Sequence, residues 1–339
     1  MERRCAAATG CKAVACYGPL DCHQAYPGAR ISFGAPVVGG RDLQIACGQC
    51  IGCRLERSRE WAIRCLHENQ MHDESCFITL TYDDTSLPVD HSLHYPDFQL
   101  FMKRLRAHYS ERQRITGGST DKELRHSGKS GPDADERCPA KRIRFFMCGE
   151  YGELTSRPHY HACLFGVRFN DLELIKRLSS GHNLYKSGIL SSLWPHGHSS
   201  VGEVSFDSAA YVARYIVKKV TGARAAEHYK YVSPEGEVFV RTPEFTHMSL
   251  KPGIGAEWYK KFGREVYPRD EVVIDGKKMV PPKYYDNLLE KHDWDTYEWL
   301  QFERYKKGLR LVDDATPERL RARETVARAA LSFKRRTLE

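Results

Sequence analysis

Apolar residues follow two spacings along this chain, and each spacing predicts one type of secondary structure. Residues 76–82 read Cys-Phe-Ile-Thr-Leu-Thr-Tyr, a β-branched and aromatic run bounded by two aspartates, and they predict a strand. Residues 143–148 and 159–165 predict two further strands, and the glycine- and proline-containing stretch between them predicts the turn of an antiparallel hairpin. A fourth strand is predicted at residues 201–206.

Other segments carry apolar residues at helical spacing. One predicted helix has its N-cap at Asp97, and another is capped by Asp207 or Ser208 and ends before Gly222. The predicted helices cover residues 54–72, 98–109, 171–178, 208–220 and the basic C-terminal stretch 317–336. Strands and helices interleaved so irregularly predict an α+β fold, in which flanking helices cover a mostly antiparallel central sheet and a cysteine-rich N-terminal segment is added.

Composition places limits on the class of protein. The 339 residues are 41% hydrophobic, enough for a sizeable core, and the net charge of +8 favours a polyanionic partner without requiring one. No apolar run approaches the roughly 20 residues of a membrane span, and the N-terminus lacks a secretory signal. We therefore expect an intracellular protein with no membrane partner. The predicted domains are 1–56, cysteine-rich; 57–225, catalytic; and 226–339, whose role the sequence does not indicate.

Seven of the twelve cysteines lie before residue 54. In a reducing cytosol such clustering indicates metal binding rather than disulfides. The spacing of Cys47, Cys50 and Cys53 is typical of zinc ligands, but a structural zinc needs a fourth. Four upstream thiols could supply it, and free thiols are the alternative interpretation. These candidates are Cys5, Cys11, Cys16 and Cys22.

The run His159-Tyr160-His161 lies inside a predicted strand. Residues i and i+2 of a strand point to the same face, so both imidazoles would project together. With a carboxylate beside them, two imidazoles form a divalent-metal site that keeps open positions for substrate oxygens. Glu150, at the end of the preceding strand, is the expected carboxylate, and Glu153 is the alternative. An ordinary half-buried histidine pair is the competing interpretation.

Tyr211 and Tyr215 are four residues apart on a predicted helix, with Lys218 three residues further on. That spacing places both phenols on one helix face. A tyrosine that attacks a phosphodiester keeps the bond energy as a phosphotyrosine, so a 3′-hydroxyl can later reseal the strand without ATP. Core packing of the two rings is the alternative explanation.

The two pairs together resemble the HUH endonuclease superfamily, in its two-tyrosine branch. More narrowly, several stretches resemble the replication initiation proteins of gokushovirus-type microviruses. The resemblance covers roughly residues 15–225. Its motifs are Cys47-Gly-Gln-Cys50-Ile-Gly-Cys53, Phe77-Ile-Thr-Leu-Thr-Tyr82, Cys148-Gly-Glu150, Arg157-Pro-His159-Tyr-His161 and Tyr211-Val-Ala-Arg-Tyr215-Ile-Val-Lys218.

This resemblance implies a rolling-circle replication initiator that nicks and religates DNA. His159, His161 and Glu150 would bind Mg²⁺ or Mn²⁺, and Tyr211 or Tyr215 would attack the scissile phosphate. Single-stranded DNA and origin DNA would be its partners, in the cytoplasm of a bacterial host. No phosphate-loop motif occurs in the sequence, so a host helicase would unwind the DNA and a host polymerase would copy it.

Three further residues take roles from the same resemblance. Lys218 would lower the pKa of the attacking phenol or hold a phosphate, unless it is an ordinary solvated helix charge. Arg157 would contact the DNA backbone or support the hairpin turn. Cys16 is the expected fourth zinc ligand, because residues 15–19 are similar to the start of the related proteins.

Other classes of protein explain the sequence less well. A zinc-dependent nucleobase deaminase would need an H-x-E motif followed by P-C-x-x-C, and that pairing is absent. A non-enzymatic zinc-finger nucleic-acid binder explains the cysteines but gives no role to the histidine and tyrosine pairs. Within the superfamily, a mobilisation relaxase or a transposase is the alternative.

Overall fold

A computed structural model describes residues 16–26, 29–34, 38–116, 142–152, 155–177, 181, 183–220, 222, 225–233, 235–267 and 269–333. For residues 112–116 and 215–218 it describes the backbone alone. In this part of the chain, no helix is both long enough and apolar enough to span a lipid bilayer.

The strands of the described chain are β1 (Leu20–Gln24), β2 (Arg41–Ile45), β3 (Ser75–Tyr82), β4 (Arg144–Tyr151), β5 (Pro158–Phe165), β6 (Glu173–Arg177), β7 (Asn183–Lys186), β8 (Gly197–Gly202), β9 (Lys230–Val232), β10 (Val238–Val240), β11 (Phe245–Met248), β12 (Val272–Ile274) and β13 (Lys277–Met279). The helices are α1 (Ile51–Asn69), α2 (Tyr95–Thr116), α3 (Gly188–Leu193), α4 (Phe206–Lys218), α5 (Ala225–His228), α6 (Ala256–Val266), α7 (Lys283–His292), α8 (Trp294–Leu309) and α9 (Pro317–Phe333).

Seven strands form the central sheet, in the order β11-β4-β5-β3-β8-β7-β6. Every neighbouring pair in it is antiparallel. The α+β fold with an antiparallel central sheet is thus confirmed. Strand β3 pairs with β5 on one side and β8 on the other, so its side chains lie in the middle of the sheet.

Alternation of side chains along β3 separates a core face from a half-buried face. Ile78, Leu80 and Tyr82 are almost completely buried, whereas Thr79 and Thr81 between them are only partly covered. The buried face packs in one hydrophobic cluster with residues of α2, among them large aromatic and aliphatic side chains. Burying a side chain of that size contributes about 1.5–3 kcal/mol, so this face fixes the strand register.

Strands β3, β4 and β5 confirm the three central strand predictions, and α1, α2, α4 and α9 confirm four of the helices. The predicted N-cap at Asp97 is wrong, because α2 begins two residues earlier and Asp97 lies in its first turn. There its carboxylate accepts a hydrogen bond from Tyr82 Oη at 2.6 Å. The cap of α4 is also earlier than predicted: Ser205 forms a capping box with Ser208.

The helix predicted at 171–178 is wrong. The chain there forms the exposed edge strand β6, which pairs with β7. Asp171 instead accepts hydrogen bonds from Ser187 Oγ at 2.6 Å and Ile189 N at 2.8 Å, where α3 begins. The strand predicted at 201–206 is also displaced, since β8 ends at Gly202. In both places pairing with a distant strand outweighed the local spacing of apolar residues.

The chain divides into two compact units that are each discontinuous in sequence. The first unit comprises residues 1–68, 209–217 and 254–339, and the second comprises 69–208 and 218–253. The central sheet belongs to the second unit, and the paired strands β1 and β2 belong to the first. The domain boundaries given above from sequence stay a prediction.

In the first unit, α1 is fixed by buried polar contacts. His67 stacks on Trp258 with ring centroids 3.4 Å apart, and its Nδ1 lies 2.8 Å from Tyr285 Oη. Glu68 accepts a hydrogen bond from the backbone N–H of Gly255 at 2.7 Å. These contacts join the end of α1 to segments that lie almost 200 residues further along the chain.

Candidate metal centre and tyrosine helix

The two predicted metal ligands of β5 lie beside two threonines of β3. The antiparallel register pairs His159 with Thr81 and His161 with Thr79. Each threonine hydroxyl lies within hydrogen-bond distance of the Nδ1 of its histidine, 2.8 Å for His159 and 3.0 Å for His161. A hydrogen bond at Nδ1 fixes the orientation of each ring and makes Nε2 the nitrogen suited to bind a metal.

Glu150 completes this group from β4. It is the direct cross-strand partner of His159, and its Oε1 lies 2.7 Å from His161 Nε2. The Glu150 side chain is 2% exposed and the His161 side chain is 8% exposed, so the pair is held in a largely dehydrated place. Glu153, the alternative carboxylate, lies outside the described residues.

The chemistry of these three side chains fits a divalent cation. Two neutral imidazoles and one carboxylate on a single sheet face provide three ligands and leave positions for phosphate oxygens. A buried carboxylate is costly unless a cation or hydrogen bonds compensate it, and here His161 is its neighbour. The ring centroids of His159 and His161 are 6.3 Å apart, so one ion could reach both Nε2 atoms.

Tyr160, between the two histidines, points to the opposite face and anchors the strand in the core. Its hydroxyl lies 3.0 Å from Tyr82 Oη, accepts from the backbone N–H of His94 at 2.8 Å and donates to the carbonyl of His94 at 2.9 Å. Burial raises the pKa of both Tyr160 and Tyr82. These two phenols are therefore structural and are poor nucleophiles.

Arg157 supports the turn between β4 and β5. It donates to the carbonyl of Tyr82 at 2.8 Å and forms an ion pair with Asp84. These contacts hold the start of β5 against the end of β3. Of the two roles considered for Arg157 from sequence, the turn-supporting one is the one that these contacts describe.

Helix α4 carries both candidate nucleophiles. Tyr211 is buried, with the Arg214 guanidinium 6.0 Å from its ring centre. Tyr215 and Lys218 lie on the same helix, where a four-residue spacing puts Tyr215 on the face of Tyr211. The side chains of Tyr215 and Lys218 lie outside the described atoms.

Two other tyrosines are the next candidates for a nucleophile. Tyr229 is buried and donates to Glu244 at 2.5 Å, and burial followed by this carboxylate raises its pKa. A phenol held in this way is unsuited to attack. Tyr231 stacks on His91 with centroids 4.5 Å apart.

Comparisons with known proteins agree with this geometry. Residues 75–220 match the family model of the replication-associated protein ORF2. The replication-associated protein VP4 of Bdellovibrio phage phiMH2K is 32% identical over 258 residues, which cover 76% of this chain and 70% of that protein. The chain belongs to this family of replication-associated proteins.

Further relatives extend the similarity. The replication-associated protein ORF2 of Spiroplasma virus 4 is 28% identical over 317 residues, covering 87% of this chain and 86% of that protein. ORF4 of Chlamydia phage 1, also a replication-associated protein, is 26% identical over a stretch that covers 73% of this chain and 54% of that protein. No solved structure matches the chain significantly.

The family match extends from β3 to just beyond α4, so it includes the histidine pair and the tyrosine helix but not the cysteine cluster. In the first unit, the structure brings together Cys16, Cys47, Cys50 and Cys53, with their sulfurs all within 4.8 Å of one another. Backbone N–H groups point at these sulfurs, as Cys47 N does at Cys16 Sγ over 3.3 Å. Four converging sulfurs could hold one metal ion.

The other upstream cysteines do not enter this cluster as described. Cys22 is buried in β1 and donates to the carbonyl of Leu43 at 3.5 Å. Cys5 and Cys11 lie outside the described residues. Within the cluster, burial raises the pKa of Cys50, but N–H donors of Cys53 and Tyr17 outweigh it and lower that pKa to about 7.

Sequence reasoning missed the residues that hold His159. Thr81 and Gly152 both touch its ring: the hydroxyl of Thr81 faces Nδ1, and a Cβ on Gly152 would lie 2.8 Å from Nε2. The threonines could have been found, because Thr79 and Thr81 repeat the i, i+2 spacing of the histidines on a neighbouring predicted strand. Nothing local marks Gly152.

Proposed function

We propose that this replication-associated protein initiates rolling-circle replication by nicking a DNA strand through a phosphotyrosine intermediate and later rejoining the displaced strand. The observation that carries the proposal is the grouping of Glu150, His159 and His161 on one sheet face, in a chain whose family is replication-associated in small phages. The tyrosine pair of α4, within the same family match, supplies the nucleophile.

The reaction conserves the number of phosphoester bonds. One tyrosine hydroxyl loses its proton and its oxygen attacks the phosphorus, so a bond from phosphorus to the tyrosine oxygen forms while the bond to the 3′ oxygen breaks. The leaving 3′ oxygen takes up a proton, and the 5′ end stays on the protein. Rejoining reverses these steps, with a free 3′-hydroxyl as the nucleophile, and needs no ATP.

Glu150, His159 and His161 would hold Mg²⁺ or Mn²⁺, which when bound supplies positive charge to the scissile phosphate and to the departing 3′ oxygen. The threonine hydroxyls keep both imidazoles oriented before DNA arrives. The largely dehydrated position of Glu150 strengthens its interaction with a cation, because little water screens it.

Tyr211 and Tyr215 divide the work between two successive cuts. While one phenol holds a DNA 5′ end, the other is available to cut the newly made strand, and the released 3′-hydroxyl can then close the finished circle. Lys218, on the same helix, would lower the pKa of an attacking phenol or hold a phosphate by its positive charge.

Zinc would have a structural role only. We propose that Cys16, Cys47, Cys50 and Cys53 bind one Zn²⁺, which would tie the segment before α1 to the start of that helix. The tyrosine reaction needs no chemistry from this ion.

The protein would act in the cytoplasm of the bacterial host, on single-stranded DNA and on the replication origin. Because the sequence has no phosphate-loop motif, a host helicase would separate the strands and a host polymerase would extend the 3′ end.

A covalent adduct is the direct test. The protein is mixed with end-labelled single-stranded segments of its cognate genome and Mg²⁺ or Mn²⁺, denatured, and analysed by gel. We expect a labelled protein band with the wild type and none with His159→Ala or His161→Ala, although both variants stay folded and bind DNA. A wild type that binds DNA without any adduct would favour a non-enzymatic zinc-finger binder, and cleavage restricted to transfer or transposon-end sequences would favour a relaxase or transposase.

Tyrosine variants then identify the nucleophile. Tyr211→Phe or Tyr215→Phe should leave some initial cleavage, or abolish it at one position only, and either should fail in the coupled second cut. The double variant should form no adduct while metal and DNA binding survive. An adduct in the double variant would place the nucleophile elsewhere, with Tyr231 the next to test.

A further inference from the structure

Four side chains at the end of β4 form a continuous stack. The Arg241 guanidinium lies 4.8 Å from the ring centre of Tyr151 and 5.6 Å from that of Tyr231. Tyr231 in turn stacks on His91, with centroids 4.5 Å apart and planes 24° from parallel. All four residues belong to the second unit.

The guanidinium in this stack has no acceptor among the described residues. Within that part of the chain its Nε is buried without a hydrogen-bond partner, and no carboxylate forms an ion pair with it. Carboxylates do occur in the neighbourhood, but each is engaged elsewhere. Asp90 faces His94 Nε2 at 3.3 Å, and Glu244 accepts from Tyr229 at 2.5 Å. A buried arginine N–H without an acceptor is rare in folded proteins and calls for an explanation.

The backbone around the stack is fixed from both sides. Tyr151 Oη donates to the carbonyl of Thr242 at 2.8 Å and accepts from Leu93 N at 3.2 Å. Thr242 N donates to Ser92 Oγ at 2.8 Å. His91 has a φ of 49°, a left-handed conformation that is uncommon for residues with a side chain and tends to be kept at functional positions. The guanidinium is therefore held in place before any ligand binds.

Positive charge accumulates here. Burial lowers the pKa of His91, and the charges of Arg241 and Arg157 lower it further, while Asp90 opposes them. Both arginines thus lie near the same imidazole. A guanidinium between two aromatic rings presents its N–H groups only in its own plane, which suits the paired oxygens of a phosphodiester.

The position of the stack connects it to the candidate metal centre. Tyr151 directly follows Glu150 in β4, and its cross-strand partner is Pro158, which precedes His159. Side chains alternate along a strand, so Tyr151 and Glu150 occupy opposite faces of the same strand end. A nucleic-acid strand that passes over this end of the sheet would reach both.

From these observations we infer that Arg241, clamped between Tyr151 and Tyr231, binds a backbone phosphate of the DNA strand at a position other than the cleaved one. The inference rests on the proposed function for the identity of the ligand. It assigns no base recognition to the stack, since a guanidinium edge on a phosphate reads no sequence.

The first test measures DNA affinity without added Mg²⁺ or Mn²⁺, so cleavage plays no part. Binding of fluorescein-labelled oligodeoxythymidylate is titrated at several salt concentrations for the wild type and for Arg241→Gln. We expect a loss of roughly tenfold at low salt, since a charged hydrogen bond is lost. The slope of log affinity against log salt should fall by about 0.7, the value for one phosphate contact on a single strand. Arg106→Gln is the matched control, because it removes the same charge from an exposed arginine of the same unit, 6.0 Å from the Phe145 ring centre.

Equal affinity and equal slope for Arg241→Gln and the wild type would overturn the inference, as would an equal loss in the Arg106→Gln control. In case Arg241→Gln fails to fold, NMR on the wild type decides. The Arg241 Nε–H signal, assigned by its loss in Arg241→Lys, should shift when the oligonucleotide is added. No shift overturns the inference, and saturation by the same concentration of inorganic phosphate identifies a free-anion site instead of a DNA contact.

These measurements are independent of the nicking reaction. A wild type that forms no covalent adduct would refute the proposed function while the affinity and NMR data still decide the role of Arg241. Conversely, an adduct formed by a wild type whose Arg241 signal ignores DNA would refute the phosphate contact alone.

Discussion

Replacing Gly152 with alanine should disturb His159 without unfolding the protein. Gly152 follows β4 in the turn, and its backbone φ lies outside the left-handed region, so alanine can adopt the same conformation. The added Cβ would lie 2.8 Å from His159 Nε2 and 3.3 Å from the neighbouring ring carbon Cδ2. The first distance is shorter than real Cβ contacts, so the imidazole must move.

The size of the effect follows from what holds the ring. Reaching ordinary van der Waals contact requires a shift of roughly 0.6 Å or more. Such a shift strains the His159 rotamer by about 1 kcal/mol and weakens its contact with Thr81 Oγ1, now 2.8 Å, by up to about 1 kcal/mol. Together these costs correspond to a 10- to 100-fold loss of metal affinity, about the range typical when support around a ligand is removed.

Isothermal titration with Mn²⁺ measures this directly. Gly18→Ala is the control, because a Cβ there meets nothing within 4 Å. We expect the control to bind like the wild type, the Gly152→Ala variant to bind at least tenfold more weakly, and all three proteins to show similar thermal melting. Wild-type affinity in Gly152→Ala would refute the reasoning and would remove His159 from the metal centre.

Three further predictions concern other parts of the chain. Thr81→Val should weaken Mn²⁺ binding about tenfold, while Thr81→Ser, which keeps the hydroxyl, should not; equal loss in both would mean that packing matters and the hydroxyl does not. Metal analysis should find about one zinc per chain, and Cys50→Ser should lose it and melt earlier; a metal-free wild type with the same melting temperature as Cys50→Ser would contradict the zinc site. Burial lowers the pKa of His67 to about 3, so the unfolded chain binds the extra proton between about pH 6.5 and 3, and stability should fall with acidification over that window by up to about 1.4 kcal/mol per pH unit. Urea unfolding at pH 7 and pH 5 should show a smaller drop for His67→Phe than for the wild type; equal drops would assign the acid sensitivity to other groups.

The sequence alone determined those features that depend on local periodicity. Residues two apart on a strand share a face, so the placement of His159 and His161 was readable once 159–165 was predicted as a strand. Four-residue spacing on α4 did the same for Tyr211 and Tyr215. Both inferences need only the geometry of one element, which sequence spacing describes well.

The sequence narrowed but did not decide those features in which one partner is distant. It marked the zinc spacing of Cys47, Cys50 and Cys53, yet four upstream thiols were possible fourth ligands. The fold brings Cys16 among them and buries Cys22 in β1. Likewise, two glutamates could serve the histidines, and the β4–β5 register places Glu150 beside them.

Only the tertiary structure decided the contacts made across the sheet. The hydrogen bonds between the threonines of β3 and the histidines of β5 join residues 82 and 78 positions apart, and they exist because burial of one face of β3 fixes its register against β5. The edge strand β6 was mistaken for a helix, because its spacing of apolar residues fits either structure and only pairing with β7 selects one. Local spacing states which residues can share a face, but long-range strand pairing and burial determine which faces meet.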